Sequence, residues 1–370
     1  MFEFCSPELL ELGMTPFFVQ QLSSLALEAG TPGKIACERR GEYEVITAAG
    51  PARARLSGRL EHALSDDDFP TVGDWVVIEP AEPVGRVSHV LARQAVLRRA
   101  DVDGTSRAQN LAANVDQCFV VCALSDGDHH ARSRALNPRR IERYLLTAQQ
   151  SRIPALVLVN KVDVVKPKAA ETALTELTQA LPDCRALLVS ARSGQGLAEL
   201  EAELTPGSSA VLLGSSGVGK STLVNALLGE ATQRTSAERA DDARGRHTTT
   251  ERQLLKLSSG ALLIDTPGMR ELALWADAAR DTASFADIEQ LAASCRFRDC
   301  KHEGEPGCAV LAAIQAGGLA EERLNHARKL ERELLHQRSR VEVRLRLAQH
   351  QQNKVRSRAS RAYGKLKGRM

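Results

Sequence analysis

The sequence predicts a multidomain protein with an N-terminal β-barrel, a central α/β domain and a C-terminal helical domain that binds a metal. Short β-type runs separated by Gly, Pro and Asp fill residues 33–100, which favours a small barrel or sandwich. Strands and helices then alternate as far as residue 265, as in a mainly parallel, doubly wound sheet. Three cysteines and a histidine cluster within residues 295–308 and predict the metal site.

The composition is that of a globular protein. Of the 370 residues, 43% are hydrophobic and 26% are charged, and the length suits about two to three domains. The sequence has no apolar run of the roughly 18 residues that a membrane span needs, and its start has no basic segment typical of a signal peptide. We therefore expect a cytoplasmic protein with no membrane partner. The eight cysteines are too dispersed to indicate a disulfide framework.

Positive charge is concentrated at the C-terminus. Residues 321–370 contain 15 Lys and Arg against 5 Asp and Glu, and no acid follows Glu342. A segregated basic tail predicts a polyanionic partner, most plausibly nucleic acid. A solvated tail without a partner remains the alternative.

The first 100 residues predict two regions. Residues 1–32 contain two short helical patterns, and residues 33–100 contain five strand-like runs. A five-stranded oligonucleotide-binding (OB) barrel fits that length. A small β domain with no role in nucleic-acid binding fits it as well.

A glycine-rich loop follows a short apolar run and leads into a helical pattern. It matches the phosphate-loop pattern G-x-x-x-x-G-K-[ST], in which backbone N–H groups surround a phosphate. Lys220 is expected to reach the β- and γ-phosphates, and the Ser221 hydroxyl to bind Mg²⁺. A chance glycine-rich turn is the alternative. The predicted nucleotide-binding residues of this loop are Gly214, Ser215, Ser216, Gly217, Val218, Gly219, Lys220, Ser221 and Thr222.

Two further motifs predict recognition of a guanine base. Asn160, Lys161 and Asp163 end one predicted strand, and a carboxylate there can accept hydrogen bonds from guanine N1–H and N2–H₂. Adenine lacks that donor pair, which disfavours an ATP-dependent enzyme. Ser190 and Ala191 end the next strand, where a backbone N–H can meet guanine O6. A polar turn is the alternative for each motif alone.

A third group of residues predicts the γ-phosphate side of the site. Asp265 ends a strand and is expected to hold Mg²⁺ through a water, while the Gly268 N–H faces the γ-phosphate. In the run GRHTTT, Thr249 is expected to complete the Mg²⁺ coordination, with Thr248 and Thr250 as alternatives. Where Ras-like enzymes have a water-orienting Gln after DxxG, this chain has Met269, so His247 is the candidate to orient water.

The order of these motifs is permuted. The base-recognition motifs precede the phosphate loop, whereas in ordinary GTPases they follow it. A circular permutation can build the same site, because the sheet places loops by their position in space. The sequence therefore predicts a circularly permuted P-loop GTPase domain.

The C-terminal cluster has the spacing of a structural zinc site. Three thiolates and an imidazole suit a closed tetrahedral site for one Zn²⁺, and buried or reactive cysteines are the alternative. The predicted ligands are Cys295, Cys300, His302 and Cys308.

Taken together, these residues resemble the ribosome small-subunit-dependent GTPase family (RsgA, also called YjeQ). The resemblance rests on NKVD, SA, GSSGVGKST, GRHTTT and DTPGMRE in that order, with QNLAANVDQ before them and CRFRDCKH after them. It covers about residues 33–335. The first 30 residues and the long basic tail depart from the expected pattern.

The resemblance implies a GTP hydrolase that binds the small ribosomal subunit and its 16S-type rRNA late in assembly and hydrolyses GTP to GDP faster when bound. It also implies a C-terminal helical zinc domain and hydrolysis assisted by His247. With the residues above, we expect one structural Zn²⁺, Mg²⁺ with GTP, and a monomer. A non-ribosomal GTP-dependent RNA-binding switch or RNA chaperone is the alternative. The domain division we expect is a helical extension, an OB-type barrel, the permuted GTPase domain, a zinc and helical domain, and a basic tail, over residues 1–32, 33–100, 101–275, 276–342 and 343–370.

Overall fold

The protein is described by a computed structural model that divides into two compact units. The first unit comprises Met1–Arg99 and Gln109–Leu272, and the second comprises Ala100–Ala108 and Ala273–Met370. Within them the structure describes residues 6–25, 30–39, 41–65, 67–100, 108–125, 136–215, 217–229, 252–265, 285–321, 323–332 and 335.

Two short helices open the first unit, α1 (Pro7–Glu11) and α2 (Pro16–Ser24). Each has proline in its first turn, where the missing N–H costs nothing. Their apolar side chains pack into the main core, and the rings of Phe18 and Trp75 lie 5.9 Å apart. The N-terminal segment is therefore built into the core of this unit.

Five strands close into the barrel that the sequence predicts. Strand β1 pairs with both β2 and β4, while β3 and β4 each pair with β5, so the sheet has no free edge. Alternate residues point inward, as the twofold period of a strand requires, and bury Ile35, Val45 and Val76. The elements are β1 (Thr31–Arg39), β2 (Glu42–Thr47), β3 (Gly50–Leu56), α3 (Gly58–Ala63), β4 (Trp75–Glu79) and β5 (Gly85–Val90).

A mainly parallel sheet forms the rest of the first unit, in the order β10-β9-β8-β11-β13-β12. Only β12 runs antiparallel to its neighbour in this part of the sheet. Strands β6 (Val96–Ala100) and β7 (Ala108–Ala113) form a separate two-stranded sheet. The remaining elements are β8 (Gln117–Ala123), α4 (Pro138–Gln150), β9 (Ala155–Asn160), α5 (Pro167–Ala180), β10 (Ala186–Leu188), α6 (Leu197–Ala202), β11 (Ser209–Leu213), α7 (Lys220–Leu228), β12 (Gln253–Lys256) and β13 (Leu262–Asp265).

The barrel and the parallel sheet are continuous. Strand β12 pairs with β13 on one side and with barrel strand β1 on the other, where Cys37 lies opposite Gln253. The sequence pattern did not predict β12, because four residues are too few to show a period. The predicted barrel and parallel α/β sheet are both confirmed, and their junction is a feature that only the structure reveals.

In the second unit, the described residues within 285–332 form three helical segments joined by loops. Helix α8 (Ala286–Ala292), helix α9 (Ala309–Gln315) and helical residues 323–332 enclose a small core. The Arg323 guanidinium binds the Asp287 carboxylate at 2.6 Å and ties the last of these helices to α8. The buried core residues are Ile288, Cys308, Val310, Leu319 and Leu324. Among all the described helices of the protein, none is long and apolar enough to cross a membrane.

Candidate functional site

The predicted site motifs meet at one edge of the parallel sheet. Strands β8, β9, β10, β11 and β13 are mutually parallel, so their carboxyl ends share that edge. Ligands of open α/β sheets bind at this edge. The loops after β9, β10 and β11 and the last residue of β13 therefore converge, although the chain separates them by up to about 100 residues.

The phosphate loop needs glycine at two positions, because neighbouring atoms fill the space that a Cβ would take. Gly214 has φ 149°, and a Cβ there would lie 2.3 Å from the Val121 carbonyl oxygen. Gly219 has φ 93°, and a Cβ there would lie 2.5 Å from the Asn160 amide nitrogen. The loop can pack this closely against β8 and β9 only because both residues lack a side chain. Helix α7 begins at Lys220, directly after the loop, so its N-terminal N–H groups open towards the same edge.

Asn160 links the three loops at the centre of this edge. Its side chain is buried, donates to the Val218 carbonyl oxygen at 2.9 Å, and accepts from the Ala191 backbone N–H at 3.2 Å. One amide thus holds the phosphate loop and the predicted base-recognition loop in fixed relation. Both hydrogen bonds join residues far apart in the sequence, which gives the edge a defined geometry.

The neighbouring residues Lys161 and Asp163 are held by the adjacent loops. Lys161 adopts the left-handed conformation, φ 65°, and its Nζ donates to the Gly217 carbonyl oxygen at 2.7 Å. Asp163 accepts a hydrogen bond from the Ser190 hydroxyl at 2.6 Å, and that hydroxyl accepts from the Ser193 N–H at 3.0 Å. The Asp163 carboxylate is therefore oriented before any base contacts it.

The side chain of Lys220, the first residue of α7, reaches back into the phosphate loop. Its Nζ donates to the carbonyl oxygens of Gly214 and Ser215 at 2.8 and 3.0 Å. Burial lowers the pKa of Lys220, and the nearby Asp265 carboxylate opposes that shift. Lys220 and Asp265 are thus close enough for their charges to interact, and a Mg²⁺–triphosphate group needs both a cation and a carboxylate.

Several predicted site residues lie outside the described residues. They are Ser216, His247, Thr248, Thr249, Thr250, Gly268 and Met269. The tail at residues 343–370 also lies outside. Ser221 and Thr222, at the start of α7, are described and exposed.

The four predicted metal ligands come together in the second unit. Their ligand atoms all lie within 4.8 Å of one another. Cys295 Sγ lies 3.9 Å from Cys308 Sγ and 3.7 Å from His302 Nδ1, which is 3.3 Å from Cys308 Sγ. A tetrahedral Zn²⁺ with ordinary bond lengths separates such ligands by roughly 3.5–3.8 Å. The donor set and its spacing are therefore compatible with one structural zinc ion.

Local backbone features shape this cluster. His302 has φ 61°, a conformation that non-glycine residues seldom adopt, and the Cys308 thiol accepts a hydrogen bond from the Leu311 N–H at the start of α9. Burial acts to raise the pKa of the Cys295 thiol, but hydrogen bonds with the backbone of Val310 and Ala309 and with the thiols of Cys308 and Cys300 together hold that pKa below its usual value. The pKa of Cys300 is raised to about 11 by burial and by the adjacent thiols. A cation between the cysteines would offset the repulsion between their negatively charged thiolates.

A second buried polar cluster lies at the opposite edge of the sheet, and the sequence did not reveal it. Lys34 on β1 is only 2% exposed, and its Nζ donates to the Leu12 carbonyl oxygen at 2.9 Å and to the Ser209 hydroxyl at 2.8 Å. Burial lowers the pKa of Lys34 to about 8, against the influence of Asp116 and Asp74. Nothing in the local sequence separates this lysine from an exposed strand residue, because its partners come from elsewhere in the chain.

The fold and the edge geometry define a class of protein. A glycine-rich loop between β11 and α7, with NKVD and SA loops from strands that precede it in the chain, is the arrangement of a circularly permuted P-loop GTPase. The sequence profile of the RsgA GTPase family matches residues 90–275, and a broader profile described as 50S ribosome-binding GTPase matches residues 209–343.

Curated proteins and solved structures agree with this assignment. The chain is 38% identical over 374 aligned residues to a protein of Opitutus terrae named small ribosomal subunit biogenesis GTPase RsgA, covering 98% of this chain and 99% of that one. It is 45% identical to a protein of the same name from Xylella fastidiosa, over 82% of this chain and 88% of that one. The crystal structure of YjeQ from Thermotoga maritima matches with a TM-score of 0.57 and 25% identity, covering 83% of this chain and 99% of that one. The structure of YloQ, described as a circularly permuted GTPase, matches in fold with a TM-score of 0.55 and 22% identity, over 84% of this chain and 97% of that one.

The chain belongs to the RsgA GTPase family, and it is a GTP hydrolase. The family that the motifs predicted is confirmed.

Proposed function

We propose that this GTPase acts in biogenesis of the small ribosomal subunit, that it binds the subunit through rRNA, and that the bound subunit accelerates GTP hydrolysis. The name shared by relatives that match this chain almost end to end carries the proposal. The segregated basic tail supports an RNA partner, because Lys and Arg that neutralise phosphates release counterions. Such a role places the protein in the cytoplasm, and we propose that it works there as a monomer.

We further propose a role for each part of the nucleotide site. Asp163 and the Ala191 N–H read the guanine base, with Lys161 over its face, while the phosphate loop and Lys220 hold the phosphates. Ser221 and Thr249 would bind Mg²⁺ directly and Asp265 through a water; when bound, the ion neutralises charge that develops on the β- and γ-phosphates. The Gly268 N–H would face the γ-phosphate.

In the hydrolytic step a water molecule attacks the γ-phosphorus, the bond to the β-phosphate oxygen breaks, and GDP and phosphate leave. We propose that His247 orients that water. His247→Ala is expected to lower stimulated hydrolysis by about 100-fold, in the range of general acid–base effects, while GTP affinity stays nearly unchanged. Single-turnover hydrolysis and nucleotide titration measure the two quantities. An equal loss of affinity would assign His247 a structural role.

The four-ligand cluster is proposed to hold one structural Zn²⁺. Metal analysis of the purified protein is expected to find about one zinc per chain, and Cys300→Ser is expected to lose it, because structural sites need all four ligands. Cys184→Ser is the matched control, since Cys184 is partly exposed and lies in the first unit. Absence of zinc from the wild-type protein would refute the site.

The ribosomal role is tested by GTP hydrolysis with purified small subunits, large subunits and whole ribosomes at several salt concentrations. We expect slow turnover alone, stimulation by small subunits, and binding that weakens steeply with salt. Stimulation by large subunits only would favour the partner named in the broader profile. Stimulation by unrelated RNA, abolished by deleting residues 343–370, would favour a non-ribosomal RNA switch. We propose that the functional regions of the chain are residues 1–32, 33–100, 101–275, 276–342 and 343–370.

A further inference from the structure

The junction between the barrel and the parallel sheet is in register with Asp265, the residue proposed to hold Mg²⁺ through a water. Gln253 on β12 is the register partner of Asp265, the last residue of β13. The same Gln253 is the register partner of Cys37 on barrel strand β1. Cys37, Gln253 and Asp265 therefore form one row across three adjacent strands, which we call the junction row.

The backbone on the barrel side of this row is irregular. The pairing of β1 with β2 shifts register between Ile35 and Cys37, as a β-bulge does. A bulge bends its strand and leaves one residue outside the regular ladder. The barrel strand is therefore bent close to Cys37, and the regular ladder of β1 with β2 is interrupted there.

The other attachment of β1 is rigid. Three residues before Cys37, the buried Lys34 binds the Leu12 carbonyl oxygen and the Ser209 hydroxyl. Ser209 begins β11 and is the register partner of Leu262, so this contact lies towards the other edge of the sheet. Strand β1 thus has a fixed point at Lys34 and a bend at the junction row, about 10 Å further along at the usual rise per residue.

One side chain holds β12 at its start. The half-buried Arg252 immediately precedes β12, and its guanidinium donates to the Asn110 carbonyl oxygen of β7 at 2.9 Å. At the other end of β12, Lys256 pairs with Glu11 at 2.6 Å, and both side chains are about half exposed. The first contact is close to the junction row and the second is remote from it.

We propose that β12 transmits the state of the nucleotide site to the barrel, and that Arg252 is the positioning residue for this coupling. A shift of Asp265 between nucleotide states moves Gln253, because paired strands keep a fixed spacing of about 4.8 Å. Gln253 in turn moves Cys37 at the bend of β1. By reciprocity, a partner that binds one barrel conformation changes the energy of the Asp265 arrangement.

The test is hydrogen exchange of the full-length protein with GDP and with a non-hydrolysable GTP analogue, each with Mg²⁺. In the wild type, exchange of residues 31–39 is expected to differ between the two nucleotides by about 2- to 30-fold, the range of ordinary coupling energies. Arg252→Ala is expected to abolish that difference while residues 217–229 still respond to nucleotide. Lys256→Ala, the matched control on the same strand, is expected to keep it. Identical exchange of β1 in both wild-type states overturns the proposal without any variant, and so does a difference that survives in Arg252→Ala.

A second measurement rests on the proposed ribosomal function. If small subunits stimulate the wild type, Arg252→Ala is expected to lower the stimulated kcat by about 2- to 30-fold with KM for GTP unchanged. Unchanged stimulation in Arg252→Ala contradicts the coupling. Failure of subunits to stimulate the wild type refutes the proposed function instead, and the exchange experiment still decides the coupling.

Discussion

Lys220 and Lys34 lie beyond opposite ends of strand β11 and differ in what surrounds them. Both have a pKa lowered by burial. Lys34 is enclosed, with its ammonium group fixed by oxygens of Leu12 and Ser209 and 5.7 Å from the centre of the Trp75 ring. Lys220 is only partly buried and is held by loop carbonyl oxygens at the edge where the strands end. A perturbed lysine is therefore a candidate for ligand binding only where the fold leaves it reachable.

Replacing Lys220 should produce the largest effect on function. Lys220→Ala is expected to weaken GTP binding by close to 1,000-fold, about 4 kcal/mol, because it removes two or more charge-assisted hydrogen bonds to phosphates. The free energy of unfolding without nucleotide should fall by only about 1–2 kcal/mol, because Lys220 is partly buried and loses two hydrogen bonds to loop carbonyl oxygens. Nucleotide titration and denaturant unfolding measure the two. A large loss of stability would mean that Lys220, like Lys34, serves mainly to stabilise the fold.

Replacing Lys34 should show the opposite pattern. Lys34→Ala is expected to lower the free energy of unfolding by about 3 kcal/mol, because it leaves buried oxygens unpaired and opens a cavity. GTP affinity of the folded protein should stay within about 3-fold of the wild type. Lys256→Ala is the control, since an exposed ion pair contributes about 0–1 kcal/mol. Loss of GTP binding by folded Lys34→Ala would assign this lysine to the site.

Lys34 should also make the free energy of unfolding depend on pH, and this effect is expected to be smaller than the two above. The folded pKa of Lys34 is about 8, below its ordinary 10.5, so between these values the unfolded chain binds more protons and stability rises with pH. Relative to Lys34→Met, the wild type should gain about 2 kcal/mol of unfolding free energy between pH 7.5 and 9.5. Unfolding of both proteins across this range checks it. A constant or falling difference would mean that folding does not lower the pKa of Lys34.

These contrasts show which parts of the molecule a sequence can reveal. The phosphate loop was predictable because Gly214, Gly219 and Lys220 lie close together in the sequence at a fixed spacing. The cluster suited to zinc was predictable because Cys295 and Cys308 lie only 13 residues apart. The hydrogen bond from Ser190 to Asp163 was not predicted, although both residues were, because a hydroxyl orientation depends on the meeting of two loops.

By itself, the sequence determined the chemistry of this protein: a permuted guanine-nucleotide site, the OB-type barrel and a cluster suited to zinc. Each of these features depends on a short sequence segment in which local backbone geometry sets the spacing of the residues. Only the tertiary structure decided that the N-terminal helices enter the core, that β12 joins the barrel to the parallel sheet, and that Lys34 is buried against Ser209. Lys34 and Ser209 are 175 residues apart, and their contact depends on how the barrel packs on the sheet, which no local pattern records.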